Sequence, residues 1–330
     1  MSRPATLPAE ELRDRSASQL MCVPLVVFRL HQARDIDLYI WPDADDEPTL
    51  YCSADVLLTE QDLDRLLQRG CRSLYISNAA YADFTDQLTA SLGDILADSQ
   101  TPAEQRLAVL QSAMSLEIET AFHTIDSERF VSLSRHVARQ IDTLLNENEV
   151  MPSKLVQMLR HDFYTFTHIT NVATYASLMA AELGLTADEQ RQVTEGGLLH
   201  DVGKRFIPSS VLCKRTKLTD EEWDLIRSHP QRGYEDLCER VDLEQAQLMM
   251  VYSHHERIDG KGYPVGLTGE EIHPWARLLS VVDVFDALTG ARPYRSSWKV
   301  QDALAYLERN AGTQFDGDMV RCWLSAMKWS

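Results

Sequence analysis

The sequence predicts a small α+β domain followed by a larger all-helical one. Short strand-like runs are confined to the stretch from Cys22 to about Ile76, apolar residues recur in steps of three and four from residue 103, and strand signals fade after residue 151. A chain of 330 residues has room for two domains. Its 44% hydrophobic and 25% charged residues are ordinary globular composition, which excludes disordered, collagen-like and disulfide-scaffold classes.

Residues 1–18 are polar, carry Pro4 and Pro8, show no apolar period and read as a loose leader. In the small α+β domain, residues 19–100, the runs VPLVVFRL, IDLYIW, TLYCSADVLL and SLYIS are rich in branched and aromatic residues and read as strands, with WPDADDEP as a turn. Between them TEQDLDRLLQRG is a helix: Thr59 caps it, Asp62 stands three residues on, Leu63, Leu66 and Leu67 share a face, and Gly70 stops it. No cluster of His, Cys or carboxylates and no Gly-rich phosphate loop lies in this part, so it is expected to regulate, sense or dock.

Residues 101–150 carry apolar positions from Leu107 to Leu144 at helical spacing and are assigned as a helical linker. A coiled-coil stalk is one reading. The short repeat and a break near Asp126 favour helices packed on the next domain. From 151 to 330, helices are expected at about 153–160, 164–183, 187–199, 219–228, 230–239, 243–256, 274–290 and 300–310.

A net charge of −18 denies the chain the basic footprint of a duplex nucleic-acid binder, and most of the excess lies in the first 150 residues. An anionic ligand would therefore need a bound cation or a local Lys/Arg cluster. The longest apolar run, Met21 to Phe28, contains Pro24 and is far short of a membrane span. Six scattered cysteines without a C-x-x-C pair fit reduced thiols, and the expected compartment is the cytoplasm.

Chemistry concentrates in the second half. His168 interrupts an apolar helix face, and His200 and Asp201 close the run LLHDVGK. His229 precedes Pro230, His254 and His255 stand in tandem at a helix end, and Asp283 is embedded in RLLSVVDVFDAL, where an isolated carboxylate would be costly. Each alone has a bland alternative as a satisfied core histidine or a surface acid. Together they form a nitrogen and carboxylate set without thiolate, suited to first-row ions. Seven donors are too many for one tetrahedral site and suit two metals sharing a bridging carboxylate. Asp286, three residues after Asp283, could share that face, cap the helix or pair with a surface base.

The spelling of these segments, namely His168, HD-x-GK at 200–204, HP at 229–230, HHE-x-x-DG-x-GYP at 254–264 and Asp283 with RPYR at 292–295, resembles the HD-GYP subgroup of the HD phosphohydrolase superfamily. The resemblance spans roughly residues 150–325 and implies an all-α HD-type helical domain that degrades the bacterial messenger cyclic di-GMP. It implies two divalent metal ions, iron or manganese. One would be held by His168, His200, Asp201 and Asp283, and the other by Asp201, His229, His254 and His255, with Asp201 bridging. Some relatives bind a third metal through a glutamate four residues before the first histidine; Tyr164 stands there, so two are expected.

On that reading a metal-bridging hydroxide attacks phosphorus, with Asp201 and Lys204 as the catalytic residues. Lys204 would stabilise charge on the phosphoryl group or leaving oxygen. Gly262 and Tyr263 would contact substrate together with Arg292 and Arg295, whose forks suit phosphate. The implied activity is cyclic di-GMP phosphodiesterase, yielding pGpG and then GMP. The alternatives are a slow messenger-binding effector, a phosphodiesterase for 3′,3′-cGAMP, and a di-iron oxygenase, against which the GYP loop argues. Expected partners are cyclic di-GMP, no duplex nucleic acid and no membrane, with a homodimer or a signalling protein met through the front domain left open.

Overall fold

The computed structural model describes residues 20–31, 35–41, 47–71, 73–123, 127–147, 152–159, 165–212, 214, 216–290 and 297–327. The expected leader therefore lies outside the described residues. The chain forms two compact units, Met1–Asp98 and Ser99–Ser330.

The first unit is a four-stranded antiparallel sheet with helices. Strands β1 (Leu20–Pro24), β2 (Leu38–Ile40), β3 (Thr49–Cys52) and β4 (Ser73–Ser77) lie in the order β1-β4-β2-β3. β1 pairs with β4 from Leu20↔Ser77 to Pro24↔Ser73. Alternation places Leu74 and Ile76 of β4 in the core with Met21 and Val23 of β1.

The run VPLVVFRL is not one strand. β1 ends at Pro24, and Leu25–Leu30 is a helix, α1, burying Leu25, Val27 and Phe28. A short continuous apolar run satisfies either period, so its pattern could not separate the two. TLYCSADVLL is extended only to Cys52, because Val56 N–H returns to the Ser53 carbonyl in a turn. Helix α2 (Glu60–Gln68) has the expected Thr59/Asp62 capping box, and Gly70 follows at φ +82°. Helix α3 (Asn78–Ala97) was not foreseen. Ser77 caps it, and Phe84, Leu88 and Leu92 form its buried stripe.

The second unit is helical: α4 (Ala103–His123), α5 (Ser127–Glu147), α6 (Pro152–Leu159), α7 (Thr165–Glu182), α8 (Ala187–Leu199), α9 (Ser209–Leu212), α10 (Asp220–Arg227), α11 (His229–Leu237), α12 (Gln245–Ser253), α13 (Pro274–Thr289), α14 (Val300–Arg309) and α15 (Gly317–Met327). α4 and α5 pack on α7 and α8, as the reading of helices packed on the next domain expects. Gln111 donates to Thr174 Oγ1 at 3.1 Å, and the Asp142 carboxylate accepts from Ser177 and Thr194 at 2.7 Å.

α7 is the central element. Ile169, Val172, Ala173, Tyr175, Ala176, Met179 and Ala180 are fully buried, and Thr170, Asn171, Thr174 and Ser177 are buried with them, so the helix is enclosed nearly all round as a core helix. Tyr175, Phe285 of α13 and Trp323 of α15 meet as a ring cluster, with centroids 5.1–5.9 Å apart. α15 was likewise unforeseen. This packing sets α7, α8 and α13 side by side.

Candidate metal centre

The seven sequence-singled donors come from five places on that scaffold. His168 lies in the first turn of α7, His200 and Asp201 lead out of α8 into a 3-10 turn (Val202–Phe206), and His229 opens α11. His254 and His255 follow α12, and Asp283 sits midway along α13. Gly203 lets the turn reach α11: a Cβ there would fall 1.9 Å from the His229 carbonyl oxygen and 2.7 Å from Gly233 N.

All seven converge. Ligand atoms of His229, His254 and His255 lie within 4.8 Å of one another, as do those of His168, His200 and Asp283, and those of His200, Asp201 and His254. Asp201 stands between the groups: Oδ1 is 3.2 Å from His229 Nε2 and 4.0 Å from His254 Nε2, and Oδ2 is 3.3 Å from His200 Nε2 and 3.9 Å from His168 Nε2. Asp283 Oδ1 is 3.1 Å from His168 Nε2, and its Oδ2 is 3.9 Å from His255 Nδ1.

The backbone fixes which nitrogen faces inward. Nδ1 of His200 donates to the Gly197 carbonyl (2.6 Å), that of His229 to Ile226 (2.6 Å) and that of His254 to Val251 (3.0 Å). With Nδ1 on a carbonyl, each ring turns its Nε2 to the centre. His229 Nε2 and His254 Nε2 are only 3.2 Å apart. Two lone pairs at that distance repel unless a cation lies against them. His200 Nε2 and Asp201 Oδ1 are buried without a hydrogen-bond partner, a costly state that a bound cation relieves. The residues therefore fit a metal centre by the chemistry of their donors.

Charge within the cluster is arranged accordingly. Burial works against ionised Asp201, but the Lys204 ammonium, whose Nζ donates to Oδ2 at 2.5 Å, holds its carboxyl well below the usual range. Burial likewise opposes ionised Asp283, yet the His168 hydrogen bond keeps it strongly acidic. Burial disfavours protonated His168, and the bonds to Asp283 and Asp286 outweigh it, raising its pKa to about 9. Burial drives His255 down to about 3 and His254 well below its ordinary value.

Two residues outside the expected set support the site. Asp286 accepts His168 Nδ1–H at 2.7 Å and Asn171 Nδ2–H at 3.0 Å, aiming His168 Nε2 at the centre. Its spacing of three from Asp283 was the available signal. Glu256, buried, receives the backbone N–H groups of Val265, Gly266 and Leu267 at 2.7–3.1 Å and shapes the following loop.

In that loop Gly262 passes so close to the chain that a Cβ would sit 2.4 Å from Glu256 Cα and Arg257 N. The Tyr263–Pro264 peptide is cis. The Tyr263 ring stacks on His255, with centroids 4.7 Å apart and 27° between planes. Burial, then the Asp283 and Asp201 charges, pushes its phenol pKa up. A cleft of about 480 Å³ opens beside the cluster, bounded by His254, His255, Tyr263, Lys261, Arg227 and Gln314. Arg292, Arg295 and Tyr164 lie outside the described residues.

A model of the HD domain matches residues 134–319, more than half of the sequence. The chain belongs to the HD domain family. Its match begins within α5, so that helix is part of the HD domain match. This HD domain chain is 38% identical over 191 residues to the cyclic di-GMP phosphodiesterase response regulator RpfG of Xanthomonas campestris pv. campestris, covering 57% of the chain and 50% of that relative. It is 35% identical over 153 residues to the 3'3'-cGAMP-specific phosphodiesterase 3 of Vibrio cholerae, covering 46% of the chain and 33% of the relative. The chain thus spans half or less of the length of these two relatives. Its fold is similar to that of Bd1817, an HDG"Y"P protein from Bdellovibrio bacteriovorus, with a TM-score of 0.65 at 19% identity over 94% of this chain and 99% of the other. No helix among the described residues is long and apolar enough to cross a membrane.

Proposed function

We propose that this chain is a metal-dependent phosphodiesterase that hydrolyses cyclic di-GMP to pGpG and then GMP. The observation that carries the reading is the convergence of seven donors, with the Asp201 carboxylate buried between the two groups, beside a cleft walled by Tyr263. The Xanthomonas relative's activity points the same way.

His168, His200, Asp201 and Asp283 would hold one divalent ion, and Asp201, His229, His254 and His255 the other. Nitrogen and oxygen donors without thiolate suit iron or manganese. When bound, two such ions lower the pKa of water and neutralise phosphate charge.

The chain's own groups supply the rest. The carbonyls of Gly197, Ile226 and Val251 hold three imidazoles by Nδ1, so that Nε2 of each is turned to the metal centre. Lys204, three residues beyond Asp201 and partly exposed, donates its ammonium hydrogens to a phosphoryl oxygen or the leaving 3′-oxygen once Asp201 is engaged elsewhere. Gly262 lets the loop close onto Glu256 and Arg257, and Tyr263, already held flat on His255, offers a face and a hydroxyl at the cleft. Arg292 and Arg295 are assigned to the substrate phosphates by their family positions.

The test is turnover: protein reconstituted anaerobically with Fe(II) or Mn(II) should convert cyclic di-GMP to pGpG. Binding without turnover under both metals would make it an effector. The Vibrio relative favours a second reading, hydrolysis of 3′,3′-cGAMP. Comparing kcat/KM for the two cyclic dinucleotides decides between them.

A further inference from the structure

A cyclic dinucleotide carries two phosphodiesters in one ring, and hydrolysis at the metal centre addresses one of them. The other is a full negative charge that enters the same cleft and needs its own partner. Among the described residues lining that cleft, the long cationic side chains are Arg227, Arg257 and Lys261. Arg257 is already committed, because its Nε and Nη2 fork onto Asp259 at 2.9 and 2.8 Å. Lys261 is an exposed point charge without a fork.

Arg227 differs from both. Its side chain is 56% exposed, and its nearest acid, Asp224, stands at 3.9 Å with a 79% exposed side chain, a loose surface pair. The guanidinium lies 5.9 Å over the Trp223 ring, which leaves its planar donors available. It ends α10, a helix that buries no side chain and so contributes little to the core. α10 is nevertheless anchored. Lys214 grips Glu222 at 2.6 and 2.7 Å near its start, and the carbonyl of Ile226, the residue before Arg227, accepts from His229 Nδ1 at its end. The backbone that carries Arg227 is thereby tied to the metal centre.

Resting on the cyclic dinucleotide reading above, we infer that Arg227 binds the second, non-scissile phosphate and so selects cyclic dinucleotides over simple diesters. It would act in addition to Arg292 and Arg295. The test uses metal-loaded full-length wild type, Arg227→Gln and Arg227→Lys with two substrates: cyclic di-GMP, and bis(p-nitrophenyl) phosphate, which has a single phosphodiester. In Arg227→Gln the KM for cyclic di-GMP should rise about tenfold or more, the usual scale for losing a charge-assisted phosphate contact, and the ratio of the two kcat/KM values should fall by a similar factor. Arg227→Lys should recover part of that ratio, since it keeps the charge but not the fork. An Arg227→Gln ratio equal to wild type, whether both activities hold or both fall together, overturns the assignment. Wild type that cleaves the single diester but not cyclic di-GMP sinks the parent reading and this one with it.

Discussion

Glu256→Gln is nearly isosteric and tests how the loop carrying Tyr263 is held. Glu256 Oε1 accepts from Val265 N (2.7 Å) and Gly266 N (3.0 Å), and Oε2 from Gly266 N (3.1 Å) and Leu267 N (3.0 Å). Glutamine has one oxygen, so whichever way its amide turns, either Val265 or Leu267 loses its acceptor and meets an N–H₂ instead. Gly266 keeps one uncharged bond. A buried donor left unsatisfied costs about 1–3 kcal/mol, and weakening the remaining charge-assisted bonds adds to it, so loop closure should lose about 2–4 kcal/mol. At about 1.4 kcal/mol per factor of ten, the lower figure means roughly 30-fold more frequent local opening. Hydrogen–deuterium exchange across residues 262–267 reads this directly, and the KM for cyclic di-GMP should rise in parallel as Tyr263 loses its seat. Exchange in Glu256→Gln indistinguishable from wild type would mean that the Glu256 carboxylate does not hold the loop.

Asp286→Asn should weaken metal binding about 10- to 100-fold, because it removes the carboxylate that orients His168; chelator competition measures it. Gly203→Ala places a Cβ 1.9 Å from the His229 carbonyl oxygen, so it should lower the melting temperature and reduce bound metal per chain. Burial raises the pKa of Asp142 despite its bonds to Ser177 and Thr194, and its Oδ2 has no partner. A carboxyl whose folded pKa lies above its unfolded value favours folding while protonated, and that advantage is lost as pH rises through the folded pKa. Asp142→Asn should therefore melt higher than wild type at pH 7, with the gap closing as pH falls toward about 4; a gap that stays constant across thermal melts at the two pH values contradicts this.

The metal-centre candidates were legible because each breaks a local rule. Asp283 is a carboxylate inside the apolar run of α13, and His254 and His255 are adjacent where a helix must end for both to point one way. Their division between two ions came from the family spelling, since spacing along the chain does not say which donors meet in space. In sequence Asp286 keeps its bland alternatives, because a surface acid and an acid that orients His168 are spelled alike. Arg227 carried no signal, being one more basic residue at a helix end. In the first unit, the apolar run after Pro24 fitted strand and helix equally, and only packing of Leu25, Val27 and Phe28 decided it. Ser77 and the Phe84, Leu88 and Leu92 spacing mark α3 in the sequence, but the signal merges with that of β4, which shares Ser77. α4 and α5 show helical periodicity, but their place against α7 and α8 is a tertiary fact.

The clustered imidazoles and carboxylates are proposed to bind two divalent ions on which phosphodiester hydrolysis depends. Elemental analysis of anaerobically prepared protein, run beside the pGpG assay for wild type and Asp201→Ala, tests it most directly. About two iron or manganese ions per wild-type chain are expected, with metal and turnover lost together in the variant. Folded wild-type protein that takes up no metal, or that hydrolyses cyclic di-GMP equally well after complete metal removal, would contradict it.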